Sequence, residues 1–145
     1  MFMGEYHHTI DDKGRLIVPS KLRDELGESF IITRGIDENI YVYTTKDWEV
    51  LVSKLKELPF TMKDARTFNR FMLSGATVCV FDKQGRVNIP SSLAEYASLK
   101  KECVIIGVND RLEIWSRDAW DKNLRESLES LSDIAEHLFE TNINI

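Results

Sequence analysis

No run of about eighteen apolar residues occurs in this sequence, so none of its segments is expected to span a bilayer. The first residues, Met1-Phe2-Met3-Gly4-Glu5, lack the basic-then-apolar shape of a secretory signal. Cysteine is scarce. Cys79 and Cys103 stand 24 residues apart, each in an apolar strand-like run, and form neither a Cys-x-x-Cys redox pair nor a zinc set. They read as reduced core residues, which fits a cytoplasmic protein. An excess of positive charge is missing too. The 19 Lys and Arg against 24 Asp and Glu give a formal charge of -5, which excludes a strongly basic coat for nucleic acid. A local basic face is not excluded, because net charge says nothing about distribution.

What is present is an ordinary globular balance, 43% hydrophobic and 30% charged, over 145 residues. That length predicts one domain or two small ones. The strongest signal is internal repetition. Ile10-Asp11-Asp12-Lys13-Gly14-Arg15-Leu16-Ile17-Val18-Pro19-Ser20-Lys21-Leu22 recurs 71 residues later as Phe81-Asp82-Lys83-Gln84-Gly85-Arg86-Val87-Asn88-Ile89-Pro90-Ser91-Ser92-Leu93. Asp, Gly, Arg, Pro, Ser and the final Leu are identical, and apolar positions stay apolar. The match continues at an offset of 72, with Ile40 to Thr44 answering Leu112 to Ser116 and Trp48 answering Trp120.

The repeated unit reads as strand, turn, strand, short helix, hairpin, helix. Asp-x-x-Gly-Arg has turn chemistry, Gly taking positive φ and Asp bonding nearby backbone. Leu16 to Val18 and Val87 to Ile89 are β-rich and end at Pro. The serines that follow are expected to cap short helices over 21–26 and 92–97, with Ser92-x-x-Glu95 as a capping box. Strands are predicted at 30–33 and 40–43, and at 103–108 and 112–115. Trp48, Leu51, Val52, Leu55 and Leu58 give a helical stripe that Pro59 ends, and a second helix over 62–73 carries Arg66 and Arg70. The last helix starts near Arg117. Its Leu124, Leu128, Leu131, Ala135 and Leu138 step by 4, 3, 4, 3, a coiled-coil-like seam expected to pack on its own chain, with packing between subunits as the alternative. Residues 141–145 read as a frayed tail. The expected organisation is a first repeat with its helix over 1–58, a helical linker over 59–74, a second repeat over 75–122, and a C-terminal helix and tail over 123–145.

A repeat of about 50 residues is marginal alone, so two copies are expected to share one core. The expected fold is α+β, mainly β: a pseudo-twofold, intertwined swapped-hairpin β-barrel with helices on its outside.

Shared packing requires the repeated Gly, Pro and apolar rows, but not a charged Asp and Arg at the same place twice. One reading is an ion pair stabilising each turn, Asp11 with Arg15 and Asp82 with Arg86, each worth roughly 0–1 kcal/mol if exposed. The other is that each Asp holds a planar guanidinium in one pose, ready to fork onto an anionic or base-edge acceptor. Lys13 and Lys83 add positive charge on the same turns.

The doubled Asp-x-x-x-Arg box, the Pro-Ser that follows it and the chain length resemble the MraZ family, within the AbrB-like, swapped-hairpin superfamily of bacterial DNA-binding proteins. The resemblance runs from Tyr6 to about Leu138. It implies a transcriptional regulator of the division and cell-wall gene cluster. Such a regulator binds direct repeats in double-stranded DNA upstream of its own operon, as a ring-shaped, octameric homo-oligomer in the nucleoid. Carried over by position, Arg15 and Arg86 become the principal DNA contacts and Asp11 and Asp82 the residues that orient them. Lys13, Lys83 and Gln84 become further phosphate or base contacts. Asp12 in the first box stands where the second has Lys83. The resemblance implies no cofactor, no metal and no membrane.

Two rival readings stand beside this one. Paired aspartates in a duplicated barrel suggest an aspartic protease, but neither box has an Asp-Thr/Ser-Gly loop, and neighbouring lysines disfavour a shared proton; no enzymatic activity is expected. His7-His8 would face opposite ways on a strand. A non-catalytic ring scaffold or antitoxin-like interaction module would need the apolar helices but not both arginines. The acidity itself is local: residues 118–145 hold seven acids and two bases, while residues 1–117 hold 17 of each. The last helix is therefore expected to point away from DNA.

Overall fold

A computed structural model describes residues 1–140. Alternation of apolar and polar side chains sets the short strands, and 3.6-residue stripes set the helices. The first half runs β1 (Glu5–Thr9), β2 (Arg15–Ile17), α1 (Ser20–Leu26), β3 (Ser29–Arg34), β4 (Ile40–Thr44) and α2 (Thr45–Lys56). After α3 (Lys63–Ser74), the second half repeats the order as β5 (Thr77–Val80), β6 (Arg86–Asn88), α4 (Ser91–Tyr96), β7 (Glu102–Val108), β8 (Arg111–Ser116) and α5 (Arg117–Glu140). Residues 141–145, read from sequence as a frayed tail, lie outside the described residues.

The strands do not close a barrel. Six of them form one open sheet in the order β1-β7-β8-β4-β3-β5, and β2 and β6 form a separate two-stranded ribbon. More residues lie in the five helices than in the eight strands, so the chain is not mainly β either. The reason for the open form is local. Each Asp-x-x-Gly turn sends the chain off the end of β1 or β5 into the ribbon, so these two strands remain at opposite edges of the large sheet. The halves are nonetheless tied together, since β1 pairs with β7 of the other half and β5 with β3. β4 pairs with β8, and β2 with β6, across the middle.

The main core lies between the ribbon, the two short helices and one face of the large sheet. Leu16, Leu22, Phe30, Ile32, Val87, Leu93, Ile105 and Ile114 all meet there. Full burial of each such side chain is worth about 1.5–3 kcal/mol. The other sheet face carries two smaller clusters, one under each half's long helix. Tyr43 meets Trp48 at 5.9 Å, and in the second half Trp115 meets Trp120 at 5.4 Å, the same aromatic contact made twice. Between them lies a buried polar knot. Glu113 accepts from Asn39 Nδ2 at 3.0 Å, Trp115 Nε1 at 3.0 Å and Arg111 Nε at 2.9 Å. The Arg111 guanidinium also lies over the Tyr41 ring, 4.3 Å from its centre.

Two local expectations are corrected. Ser20 and Ser91 are the first residues of α1 and α4, not caps; the capping positions are Pro19 and Pro90, with no side-chain cap bond. Proline fixes φ and lacks the N–H that an N-terminal turn leaves unpaired anyway. The α5 seam, moreover, is little covered among the described residues: α5 meets β7 and β8 through Ala119 and Trp120, and Leu124, Leu128 and Leu131 stay exposed. The sheet simply ends before the helix does. Trp120 fixes the departure, donating to Glu5 Oε1 at 2.9 Å. His7 and His8 alternate as a strand requires, His7 bonding Glu5 and His8 half-buried. Cys79 and Cys103 are both free thiols, half-buried and buried respectively. Among the described residues no helix is long and apolar enough to cross a membrane.

Candidate nucleic-acid interface

The two Asp-x-x-x-Arg boxes fold into the same turn. In the first, Asp11 Oδ1 accepts the backbone N–H of Lys13 at 3.0 Å and of Arg15 at 2.9 Å, while Oδ2 accepts Arg15 Nε at 2.6 Å. In the second, Asp82 Oδ1 accepts Gln84 N and Arg86 N, each at 2.9 Å, and Oδ2 accepts Arg86 Nε at 2.7 Å. One carboxylate thus closes the turn with one oxygen and steadies the arginine with the other. Bonding from the arginine's own backbone N–H is the largest cause holding both aspartates below the ordinary carboxylate range; the guanidinium and a second turn N–H add to it.

Gly14 and Gly85 complete the turns at φ of +78° and +74°, a region that side-chain-bearing residues avoid. Their carbonyls then reach across the halves. Gly14 O accepts Ile89 N–H at 2.7 Å, and Gly85 O accepts Val18 N–H at 3.1 Å. Each turn is pinned to the end of the other half's ribbon strand.

The ribbon brings the two arginines together. β2 and β6 are antiparallel, with Arg15 opposite Asn88, Leu16 opposite Val87 and Ile17 opposite Arg86. Period-two alternation buries Leu16 and Val87 and turns Arg15, Ile17, Arg86 and Asn88 outward. The arginine side chains remain 34% and 22% exposed, so neither is used up by its aspartate. Arg86 Nη1 also comes within 3.9 Å of Asp11 Oδ2, which places the two turns side by side. Lys13, Lys83 and Gln84 stand exposed on the turns. Their side chains are not drawn into the Asp–Arg arrangement; Lys13 and Gln84 take part through backbone N–H only.

Three sets of residues escaped the reading of the sequence. Asn88 occupies the outward ribbon position that Ile17 holds in the first repeat; the alternation around Val87 was the available signal. Lys100 and Lys101 line an open cleft of about 990 Å³ together with Asp11, Asp12 and Lys13. The cleft is anchored by Ile10 N–H donating to Lys101 O at 2.9 Å. Arg23 lies against Gly85 and donates to Val18 O. These cations come from the opposite half in both cases; Lys100 and Lys101 share the cleft with Asp12, and Lys100 Nζ also lies 3.9 Å from Asp118 Oδ2. Ser29 faces Val80 as Glu102 faces Thr9, so the first repeat has Gly27 and Glu28 at the matching positions. Sequence spacing could not show that exchange, since it depends on β1 pairing with β7.

Comparison with known proteins fits this doubled arrangement. The family described as "MraZ protein, putative antitoxin-like" matches residues 1–71 and again residues 72–142. The protein named transcriptional regulator MraZ from Ligilactobacillus salivarius (strain UCC118) is 55% identical over 140 residues, covering 97% of this chain and 98% of that one. On a match that spans both repeats and nearly every residue, the chain belongs to the MraZ family.

Proposed function

We propose that the chain is a DNA-binding transcriptional regulator that reads duplex DNA with the outward face of the β2–β6 ribbon. The observation that carries this reading is the pair of arginines set on one face of a two-stranded ribbon, each steadied by its own aspartate. A major groove admits a two-stranded β-ribbon, and an oriented guanidinium can donate two parallel bonds to guanine O6 and N7. Arg15 and Arg86 are the base-reading groups, and Asp11 and Asp82 are the residues that position them. Asn88 has the donor and acceptor pair that suits adenine. Lys13, Lys83 and Gln84 on the turns, with Lys100, Lys101 and Arg23 beside them, contact phosphate and fix register rather than sequence.

One ribbon carries too few cations for tight binding alone. The reading therefore includes a ring-shaped homo-oligomer, with direct repeats in the operator engaging successive subunits at high effective concentration. The targets are direct repeats upstream of the chain's own operon, in the division and cell-wall gene cluster. The protein works in the cytoplasm, at the nucleoid. The relative's name as a transcriptional regulator supports the reading.

Gel shifts on the gene's own upstream DNA test it, comparing wild type with Arg15→Ala, Arg86→Ala and the double variant. Each single change is expected to weaken binding at least tenfold, and the double change to abolish the specific shift. Undiminished binding by the double variant removes the arginines from the interface. No shift by wild type at low salt favours a scaffold or interaction module instead.

A further inference from the structure

The pairing of β2 with β6 is centred on Leu16 and Val87, so an approximate twofold axis through that pair carries Arg15 onto Arg86 and position 17 onto position 88. The chemistry matches at the first two positions and is broken at the second two, where isoleucine answers asparagine. Of the ribbon's four outward side chains, three are polar and Ile17 is apolar. Ile17 is 45% exposed and, among the described residues, belongs to none of the apolar clusters that hold the fold together. Strand propensity alone accounts for a β-branched side chain at this place. Threonine would satisfy it equally, however, without leaving a branched hydrocarbon in water between two arginines.

Its position gives that hydrocarbon something to meet. Ile17 stands opposite Arg86 in the register and two residues along the strand from Arg15, on the same face as both. Opposite Cβ atoms of an antiparallel pair are about 4.5–5.5 Å apart, and successive bases along one DNA strand are about 3.4 Å apart. With the Arg86 guanidinium on one base pair, the side chain at position 17 therefore falls on a neighbouring one. Base edges in the major groove present hydrogen-bond donors and acceptors, and one apolar group, the C5 methyl of thymine. Against the N4 donor of cytosine or the polar edge of guanine, an isoleucine removes water and returns no hydrogen bond. Against the thymine methyl it buries two apolar groups at once.

We propose that Ile17 is a specificity-determining residue, which reads the C5 methyl of a thymine beside the base that Arg86 contacts. The inference rests on the ribbon reading above and adds one base pair to what the ribbon recognises. Asn88, the counterpart of Ile17 across the axis, suits adenine. The two related positions thus select the same kind of base pair through its opposite members, one by hydrogen bonds and the other by apolar contact.

Removing the methyl and nothing else tests it. The gene's own upstream DNA is prepared once with thymidine and once with deoxyuridine throughout, as is unrelated DNA of equal length. Affinities for all four are measured with wild type, Ile17→Val and Ile17→Asn; position 17 is exposed, so the variants keep the fold. Wild type is expected to bind the thymidine form of the upstream DNA about fourfold more tightly than the deoxyuridine form, the gain from burying one methyl. Ile17→Val should keep most of that ratio, and Ile17→Asn should bind the two forms alike. Unrelated DNA should show no preference. Equal binding of both upstream forms by wild type overturns the proposal. So does an unchanged ratio in Ile17→Asn, which would assign the preference to the stiffness of the duplex. In either case a preference for upstream over unrelated DNA leaves the ribbon reading standing. A wild type with no such preference in either form overturns the ribbon reading, and the proposal with it.

Discussion

Alanine at Gly14 is expected to cost more than alanine at Gly85, although the two glycines occupy the same place in the same turn. Both have positive φ, and forcing an L side chain into that region costs about 1–2 kcal/mol. The obstacle beyond that differs. A Cβ on Gly14 would lie 2.8 Å from the backbone carbonyl oxygen of Ile89, which the ribbon holds in place. Relieving the contact strains the Ile89 N–H bond to Gly14 O, a bond of 2.7 Å worth roughly 0.5–1.5 kcal/mol net. The atoms nearest a Cβ on Gly85 belong to the Arg23 guanidinium, at 2.5 Å, a part-exposed side-chain end that can move away by giving up its bond to Val18 O, where water can replace the lost partner. Gly14→Ala should therefore lose about 2–3 kcal/mol and Gly85→Ala about 1–2 kcal/mol. Urea unfolding at one fixed protein concentration, with unchanged m, measures both. Adding Arg23→Ala should reduce the Gly85→Ala penalty and leave that of Gly14→Ala untouched. If Gly85→Ala proves equally or more costly, the two turns are not held in the way described.

Other outcomes follow from the same contacts. Glu113→Ala leaves the Arg111 charge and the Asn39 and Trp115 donors without their shared acceptor, and should cost about 3–5 kcal/mol in urea unfolding; Glu113→Gln should cost less. Asp11 and Asp82 are both held below their ordinary value, so their contribution to stability is fully present above it and is lost as pH falls through the folded-state value. The Arg15 and Arg86 Nε–H resonances should therefore stay in place from neutral pH down into the ordinary carboxylate range and move only below it; movement near neutrality would contradict the bonds. Burial raises the Cys103 thiol to about 11, so iodoacetamide should leave it intact in native protein at pH 8 and modify it on unfolding.

Much of the local structure was legible because it is carried by short-range chemistry. Asp11 and Gly14, and their counterparts Asp82 and Gly85, announced the turns, and Pro59 announced the end of a helix. The Asp–Arg contacts could be anticipated too, since four residues of turn separate the partners. What sequence could not give was long-range pairing. Two marginal repeats sharing a core point to a closed barrel, but β2 and β6 form their own ribbon apart from the six-stranded sheet, where the turns' cross-bonds to Val18 and Ile89 hold them. For the same reason Lys100, Lys101 and Arg23 went unnoticed beside turns they do not neighbour in sequence. The α5 seam was visible as a pattern; that the sheet ends too early to cover it was not.

On the proposed reading, Arg15 and Arg86 act as oriented forks rather than as positive charges. Lysine keeps the charge and loses the planar pair of donors. The most direct measurement is the affinity of Arg15→Lys/Arg86→Lys for the operator and for unrelated DNA of equal length, at one salt concentration. Operator binding is expected to fall to the level of unrelated DNA while the latter is nearly unchanged. Retention of the wild-type preference by the lysine variant would contradict it.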